Sequence, residues 1–288
     1  MPDPQKLILG VIGDPIAHSL SPILHNFVIS RLKLNYCYHA FHIRPSQLSA
    51  ALEAFSLLGI NGINVTIPHK EAVYHLIHHL SDSAREIGAV NTLHFHENIW
   101  WGYNTDGIGF LKSLGRLAKK LPDSKTIIIG AGGSAKAILS ALISQKVDEI
   151  YIYNRTQSKA EILAREFIQK TGFQSIFALE NKAQNLAAII SEAYLLVNTT
   201  PLGMYPNLEA NLLTENIEIP KSLIVYDLIY NPKRTKLLIQ AEKAGATVMN
   251  GLDMLIYQGI AALEIWTGLK IDISSCFEEI KSLLESKL

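Results

Sequence analysis

The sequence predicts an α/β chain made of two units, each built on a mostly parallel sheet. Short apolar runs alternate with amphipathic stretches up to Tyr103, which is the pattern of βαβ units. The series restarts beyond Asp123 with a new strand, a glycine turn and a helix. The chain of 288 residues is 48% hydrophobic, enough apolar side chain for two moderate cores.

Leu7 to Ile12 reads as the first strand. Ser21-Pro22 follows as the N-cap and first position of a helix that places Ile23, Leu24, Phe27, Val28 and Leu32 on one face. The loop Gly13 to Leu20 therefore leaves a strand at its C-terminal edge. Tyr36 to Ile43 is a second strand, and a helix begun near Ser46 and closed by Gly59 buries Leu48, Leu52, Phe55 and Leu58. A third strand, Ile60 to Thr66, is broken by Pro68. Val90 to Phe95 and Ile99 to Tyr103 form a hairpin about the polar turn Glu97-Asn98. A helix from Gly107 to Lys120 bridges to the second unit. There the strands are Thr126 to Ile129, Glu149 to Tyr153, Leu195 to Asn198 and Leu223 to Leu228, with helices Ala135 to Gln145 and Gln157 to Gln169 between them. The last segment, 251–288, reads as helical throughout and has no place in the second sheet. The expected division is 1–106, with 251–288 packed back on it, and 107–250, with a cleft between.

Lys+Arg and Asp+Glu each number 26, so no net field draws a polyanion, and neither nucleic acid nor a membrane surface is an expected partner. Cys37 and Cys276 form no CxxC or metal-ligand spacing, and a reducing cytoplasm fits them. Met1 to Lys6 is polar, with no basic n-region and no apolar stretch of membrane-spanning length behind it, so nothing marks the chain for export. His75, His78 and His79 are spaced to put two imidazoles on one helical face. No carboxylate or cysteine with ligand spacing accompanies them, so no metal is expected.

Gly130-Ala131-Gly132-Gly133-Ser134 follows an apolar strand and opens a helix. In that context glycines let backbone N–H groups approach a pyrophosphate, while the helix N-terminus favours negative charge. The second unit is thus expected to be a Rossmann-type dinucleotide-binding domain. Its next strand ends in Asn154-Arg155-Thr156, where an NAD-binding domain carries a carboxylate for the ribose hydroxyls. Arg155 offers a guanidinium fork and Thr156 a hydroxyl, with Lys159 one turn further on; these groups suit a 2′-phosphate and predict NADP.

Four polar clusters fall at strand ends or loops of the first unit: Gly13 to Pro22, Asn64 to Lys70, Gly88 to Thr92 and Gly102 to Gly107. Ligands of open α/β sheets sit beyond the strand C-termini, so the clusters are expected to converge on one crevice. Read singly, Ser21 is an N-cap, Asn64 and Asn91 are turn residues, Asp106 is an N-cap, and Met254, Gln258 and Tyr230 are packing residues. Lys70 begins a helix, where a cation is unfavourable to the macrodipole, so a purely structural role suits it less.

Together, and with Asn198 to Met204, Tyr226 to Tyr230 and Gly251 to Gln258, these segments resemble the shikimate dehydrogenase family over nearly the whole chain. The resemblance implies an N-terminal α/β substrate domain, an NADP-binding domain, and hydride transfer between NADPH and C3 of 3-dehydroshikimate to give shikimate. It implies that Ser19 and Ser21 bind the substrate carboxylate and that Asn64, Thr66, Asn91 and Gln258 bind its hydroxyls. Tyr230 would lie at the substrate's edge, Met254 beside the nicotinamide, and Gly130 to Ala135, Thr199 and Gly251 along the cofactor. Lys70 and Asp106 match the catalytic pair. An ammonium stabilises the charge that hydride addition leaves on the carbonyl oxygen and donates the proton, while Asp106 orients it.

Two other readings stay open. One is a quinate/shikimate dehydrogenase with relaxed substrate or cofactor choice, since a single hydroxyl of discrimination depends on site shape. The other is a non-catalytic NADP- or metabolite-binding regulator, which predicts loss of a catalytic side chain, whereas Lys70 and Asp106 are both present. The expected partner is a small-molecule substrate, and the chain is expected to be a monomer or a homodimer.

Overall fold

The strand Leu7–Gly13 (β1) is buried from Leu9 onward, as a strand inside a sheet covered on both faces should be. It lies in the computed structural model of the protein, which describes residues 6–214 and 217–288; the first five residues of the polar N-terminal stretch lie outside it. Parallel partners flank β1, Tyr36–His42 (β2) on one side and Ile60–Val65 (β3) on the other. The hairpin of Thr92–His96 (β5) and Ile99–Tyr103 (β6) then adds to β3 antiparallel, and the short His79–Leu80 (β4) completes the order β2-β1-β3-β5-β6-β4. Glu97 and Asn98 both take positive φ, 51° and 62°, the backbone that a two-residue hairpin turn needs to match strand twist.

The chain leaves β1 toward β2 and returns to the other side of β1 in β3, so the strand order reverses between β1 and β3. Loops following these two strands sit side by side: Thr66 N donates to Ile12 O at 2.9 Å and Asp14 N to Ile67 O at 3.0 Å. Because β5 runs antiparallel to β3, the residues just before β5 reach this same edge, with Thr92 opposite Asn64. Antiparallel β6 then brings Tyr103, and the residues after it, back opposite Thr92. All four polar clusters therefore meet at one end of the sheet.

The second sheet is parallel throughout, in the order β12-β11-β10-β7-β8-β9. Its strands are Lys125–Ile129 (β7), Glu149–Tyr153 (β8), Ile176–Ala178 (β9), Leu195–Asn198 (β10), Ile224–Asp227 (β11) and Thr247–Asn250 (β12). Alternate residues serve opposite faces, as the strand period requires. Ile128, Leu195, Val197 and Tyr226 join one apolar cluster, while Ile127, Ile129, Leu196 and Val225 join another. The order reverses between β7 and β10.

The structure divides into two compact units, Met1–Gly109 with Leu255–Lys287, and Phe110–Met254 with Leu288. Both crossings fall inside helices, Asp106–Leu114 (α5) and Leu252–Thr267 (α10). The predicted bridge is shorter than expected: α5 stops at Leu114, Gly115 takes φ 53°, and a 3-10 stretch continues to Lys120. Nor is 251–288 helical throughout. Gly268, at φ 69°, ends α10, and an irregular stretch separates it from the helix Phe277–Glu285 (α11). Trp266 fastens α10 to the first sheet, donating its Nε1–H to Leu93 O at 2.8 Å where Gly62 leaves no Cβ in the way.

Helix ends account for the other departures. In Ser21–Arg31 (α1) the N-cap is Leu20, so Ser21 is the first helical residue, and its N–H is held by Ser19 Oγ at 3.3 Å. Leu32 and Leu58, predicted to be buried, are exposed, because each is the C-cap residue where the backbone leaves the helix; Leu58 ends Leu48–Leu57 (α2). The inward face of α1 is Leu24, His25, Val28 and Ile29. The helix Lys70–Leu76 (α3) ends before His78 and His79, which therefore do not share a helical face with His75.

Candidate active site

Lys70 opens α3 and Asp106 opens α5, and the two side chains meet at the site edge of the first sheet. Lys70 Nζ donates to Asp106 Oδ2 at 2.5 Å, with the side chains 14% and 5% exposed. Burying such a pair costs both partners their hydration, so the pair adds little net stability. Its value lies in holding a nearly dry ammonium at a fixed place.

Asn91 organises the surroundings. Its Nδ2 donates to Asp106 Oδ1 at 2.8 Å and to Thr105 Oγ1 at 2.9 Å, and it approaches Gln258 Oε1 at 3.4 Å. Its Oδ1 accepts from Thr105 N and Thr92 Oγ1, both at 2.9 Å. With amide nitrogen and oxygen both engaged, the side chain has one orientation, and both oxygens of Asp106 are committed. Asn104 seats the start of α5: its Oδ1 accepts from Asp106 N at 3.0 Å, and its Nδ2 donates to Ala89 O at 2.9 Å.

A second row runs through Asn64. Its Nδ2 donates to Asn91 O and Thr92 Oγ1, each at 3.2 Å, and its Oδ1 accepts from the Tyr38 hydroxyl at 2.7 Å. Tyr38 is fully buried, stacked on His25 with ring centroids 4.2 Å apart, and burial holds its hydroxyl well above the ordinary tyrosine range, with the Ser21 side chain acting against that rise. Ser19 lies on the loop after β1 and Ser21 opens α1, and Thr66 lies half-buried just past β3 with its methyl against Gly13. Lys70, Asp106, Asn91, Gln258 and Asn64 thus form one connected network. Sequence reasoning did not single out Tyr38, Thr92 or Thr105. Thr105 stood beside Asp106 in a polar cluster, whereas Tyr38 sits in an apolar strand with no local sign of its partner.

In the second unit, Gly130 ends β7 at φ 115°, and a Cβ there would strike Thr199 Oγ1. Thr199, just past β10, donates its hydroxyl to Ile129 O at 2.8 Å, which ties the two loops at the point of strand reversal. Gly132 is exposed, with open space where a Cβ would be, and it precedes Gly133–Ser144 (α6). The first-turn N–H groups of Gly133, Ser134 and Ala135 have no acceptor within the helix. Ala135 is wholly buried in the apolar cluster, so only its backbone is available to a ligand. Asn154 braces the end of β8 by donating to Thr156 O at 2.8 Å. Arg155, Thr156 and Lys159 are exposed there and at the start of Gln157–Thr171 (α7). A cradle kept free of Cβ atoms, backed by a helix N-terminus and accompanied by cations at the next strand end, fits a dinucleotide with a 2′-phosphate.

The remaining predicted residues, Gly251, Met254 and Tyr230, also lie in this unit. Gly251 donates its N–H to Ile229 O at 3.1 Å and lies so close to Leu228 O that no Cβ fits. Met254 is buried in the apolar cluster, against which Ala131 also packs. Tyr230 is half-buried in the turn after β11.

Residues 11–93 match the model of the shikimate dehydrogenase substrate binding domain, 113–199 that of shikimate/quinate 5-dehydrogenase, and 251–276 that of the shikimate 5′-dehydrogenase C-terminal domain. Shikimate dehydrogenase (NADP(+)) of Methanopyrus kandleri is 46% identical over 267 residues, 92% of each chain. A crystal structure of a shikimate dehydrogenase in complex with NADP+ superposes with a TM-score of 0.88 at 37% identity, covering 100% of this chain and 97% of the other. That of shikimate 5-dehydrogenase from Thermus thermophilus with NADP(H) and shikimate gives 0.85 at 33% identity, covering 98% and 100%. With this likeness running through both units and embracing the residues that build the Lys70–Asp106 network and the glycine cradle, the chain belongs to the shikimate dehydrogenase (NADP+) family.

Proposed function

We infer that this chain catalyses the reversible NADP-dependent reduction of 3-dehydroshikimate to shikimate, a step of chorismate and aromatic amino-acid biosynthesis. The observation that carries the reading is the ammonium of Lys70, held 2.5 Å from a buried carboxylate that Asn91 braces from its other side. NADPH, when bound along Gly130 to Ala135 with its 2′-phosphate toward Arg155, Thr156 and Lys159, supplies the hydride that C3 of the ring accepts.

The side chains of this chain do the rest. Negative charge grows on the C3 oxygen as the hydride arrives, and Lys70 stabilises it and gives the oxygen a proton; in the reverse direction Lys70 takes the proton back. Asp106 keeps Lys70 aimed, and Asn91 fixes the Asp106 carboxylate. Ser19 and Ser21 hold the ring's carboxylate; Asn64, Thr66, Asn91 and Gln258 hold its hydroxyls. Asn64 is already committed to Tyr38, Asn91 and Thr92, so its free capacity is the second lone pair of Oδ1, which accepts from a hydroxyl. Tyr230 borders the substrate, while Thr199, Gly251 and Met254 border the cofactor. The first unit is accordingly the substrate domain and the second the nucleotide domain.

Among the described residues no helix is long and apolar enough to cross a membrane. A biosynthetic enzyme of this kind, acting as a monomer or homodimer in the cytoplasm, suits a chain of balanced charge. Initial rates with shikimate and with quinate, each paired with NADP and NAD and followed by nicotinamide absorbance, test the reading. Fastest turnover is expected with shikimate and NADP. Absence of shikimate-dependent reduction contradicts the reading, and comparable rates with quinate would make the enzyme one of relaxed choice.

A further inference from the structure

One carboxylate at the C-terminal edge of the second sheet closes three chain segments and is not among the residues assigned above. Asp227 ends β11 with no exposed surface. Its Oδ1 accepts from Asn198 Nδ2 at 2.9 Å and from the Ile229 backbone N–H at 3.1 Å, and its Oδ2 accepts from the Thr235 hydroxyl at 2.7 Å. Each donor leads into a different segment. Asn198 ends β10, and its Oδ1 accepts from Thr200 N at 2.9 Å and Thr200 Oγ1 at 2.7 Å, so the bend after β10 hangs from it. Ile229 directly precedes Tyr230, and its carbonyl accepts from Gly251 N at 3.1 Å. Thr235 is the N-cap of the helix Lys236–Lys243 (α9) and accepts from Leu238 N at 3.4 Å.

The chemistry of the hub asks for a carboxylate. The Asn198 amide and the Ile229 N–H can only donate here and the Thr235 hydroxyl gives its proton to Oδ2, so an ionised carboxylate, which only accepts, meets all three. Yet the three donors are neutral, and taking a charge out of water to meet neutral groups costs stability. A hub that served only to hold the fold together would be better made of apolar groups. A buried charge retained at the ligand edge of a parallel sheet instead fixes geometry.

We propose that Asp227 is a positioning residue for the reaction: through Asn198, Ile229 and Thr235 its carboxylate sets the Thr199–Thr200 bend and the Tyr230 turn in the form that receives ligand. The role rests on reading Thr199 and Tyr230 as ligand contacts, as under the proposed function. It predicts a change in affinity rather than in folded yield.

Asp227→Ala, Thr235→Val and Thr235→Ser, made in the full chain, test it with two readouts. In the first two variants, shikimate KM rises about tenfold while kcat per mole of folded enzyme stays within about threefold, and Thr235→Ser, which keeps the hydroxyl, stays within about twofold of wild type. By hydrogen exchange in the ligand-free protein, Asp227→Ala loses protection at the Thr200 and Ile229 amides but keeps it at Gly130 N, which bonds to Tyr153 O at 2.9 Å. If Asp227→Ala does not fold, the Thr235 pair decides by KM. Unchanged KM in Thr235→Val, or retained protection in Asp227→Ala, overturns the inference. A wild-type protein inert toward shikimate overturns the functional reading instead, and the exchange data still decide whether the carboxylate holds the two loops.

Discussion

Removing the Lys70 side chain takes away the group proposed to meet the developing charge and leaves Asp106 buried without its cation. Lys70→Ala should therefore lower kcat by roughly a hundredfold or more, the scale of losing a general acid. NADP affinity should stay nearly intact, because Gly130 to Ala135 and Arg155 belong to the other unit. Steady-state kinetics with an NADP titration checks both, and wild-type turnover in the variant would refute the assignment. Lys70 and Asp106 were legible in the sequence because each is a charged residue at a helix start within a polar cluster. Arg155 was singled out for a related reason, standing where a carboxylate would otherwise face the ribose. Tyr38 and Asp227 were not. Each lies in an apolar strand, and only the fold brings Asn64 to one and Asn198, Ile229 and Thr235 to the other.

Helix α1 carries on its inner face a residue that its pattern does not explain. His25 is fully buried against Tyr38 and Trp266, and burial lowers its pKa to about 3. Neither ring nitrogen has a hydrogen-bonding partner. The folded protein thus refuses a proton that the unfolded chain accepts below about 6.5. Stability from this group is intact above that pH and is lost as pH falls toward 3, amounting at pH 4.5 to on the order of 2 kcal/mol. In His25→Gln the gap in unfolding free energy between pH 7 and pH 4.5, read from urea melts, should shrink by about that much; an unchanged gap would show that His25 does not carry the acid sensitivity. Element ends also explain where sequence and structure part. Apolar periodicity continued through Leu32 and Leu58 although the backbone had left the helix, and it carried the bridge past Gly115. Two-residue β4 has too little pattern of its own to be read, since its pairing with β6 is tertiary.

Over the whole molecule, the same device appears twice. In each unit the strand order reverses beside a central strand, and the segments that follow the two strands at that reversal carry the groups proposed to bind ligand: Ser19, Ser21 and Thr66 in the first, the glycine cradle and Thr199 in the second. Alternating strands and helices made both units legible. The antiparallel hairpin, which returns Asn91 and Asp106 to the edge where Asn64 and Lys70 stand, was legible only as a hairpin, because strand partners are not written locally. A crystal structure of the full chain with shikimate and NADP+ reads directly whether the ammonium at position 70 meets the oxygen on the reacting ring carbon. It should show Lys70 Nζ about 3 Å from the C3 oxygen of the ring, with Asp106 still bonded to Asn91. A bound ring whose C3 oxygen lies beyond reach of Lys70, with that side chain turned away, would contradict it.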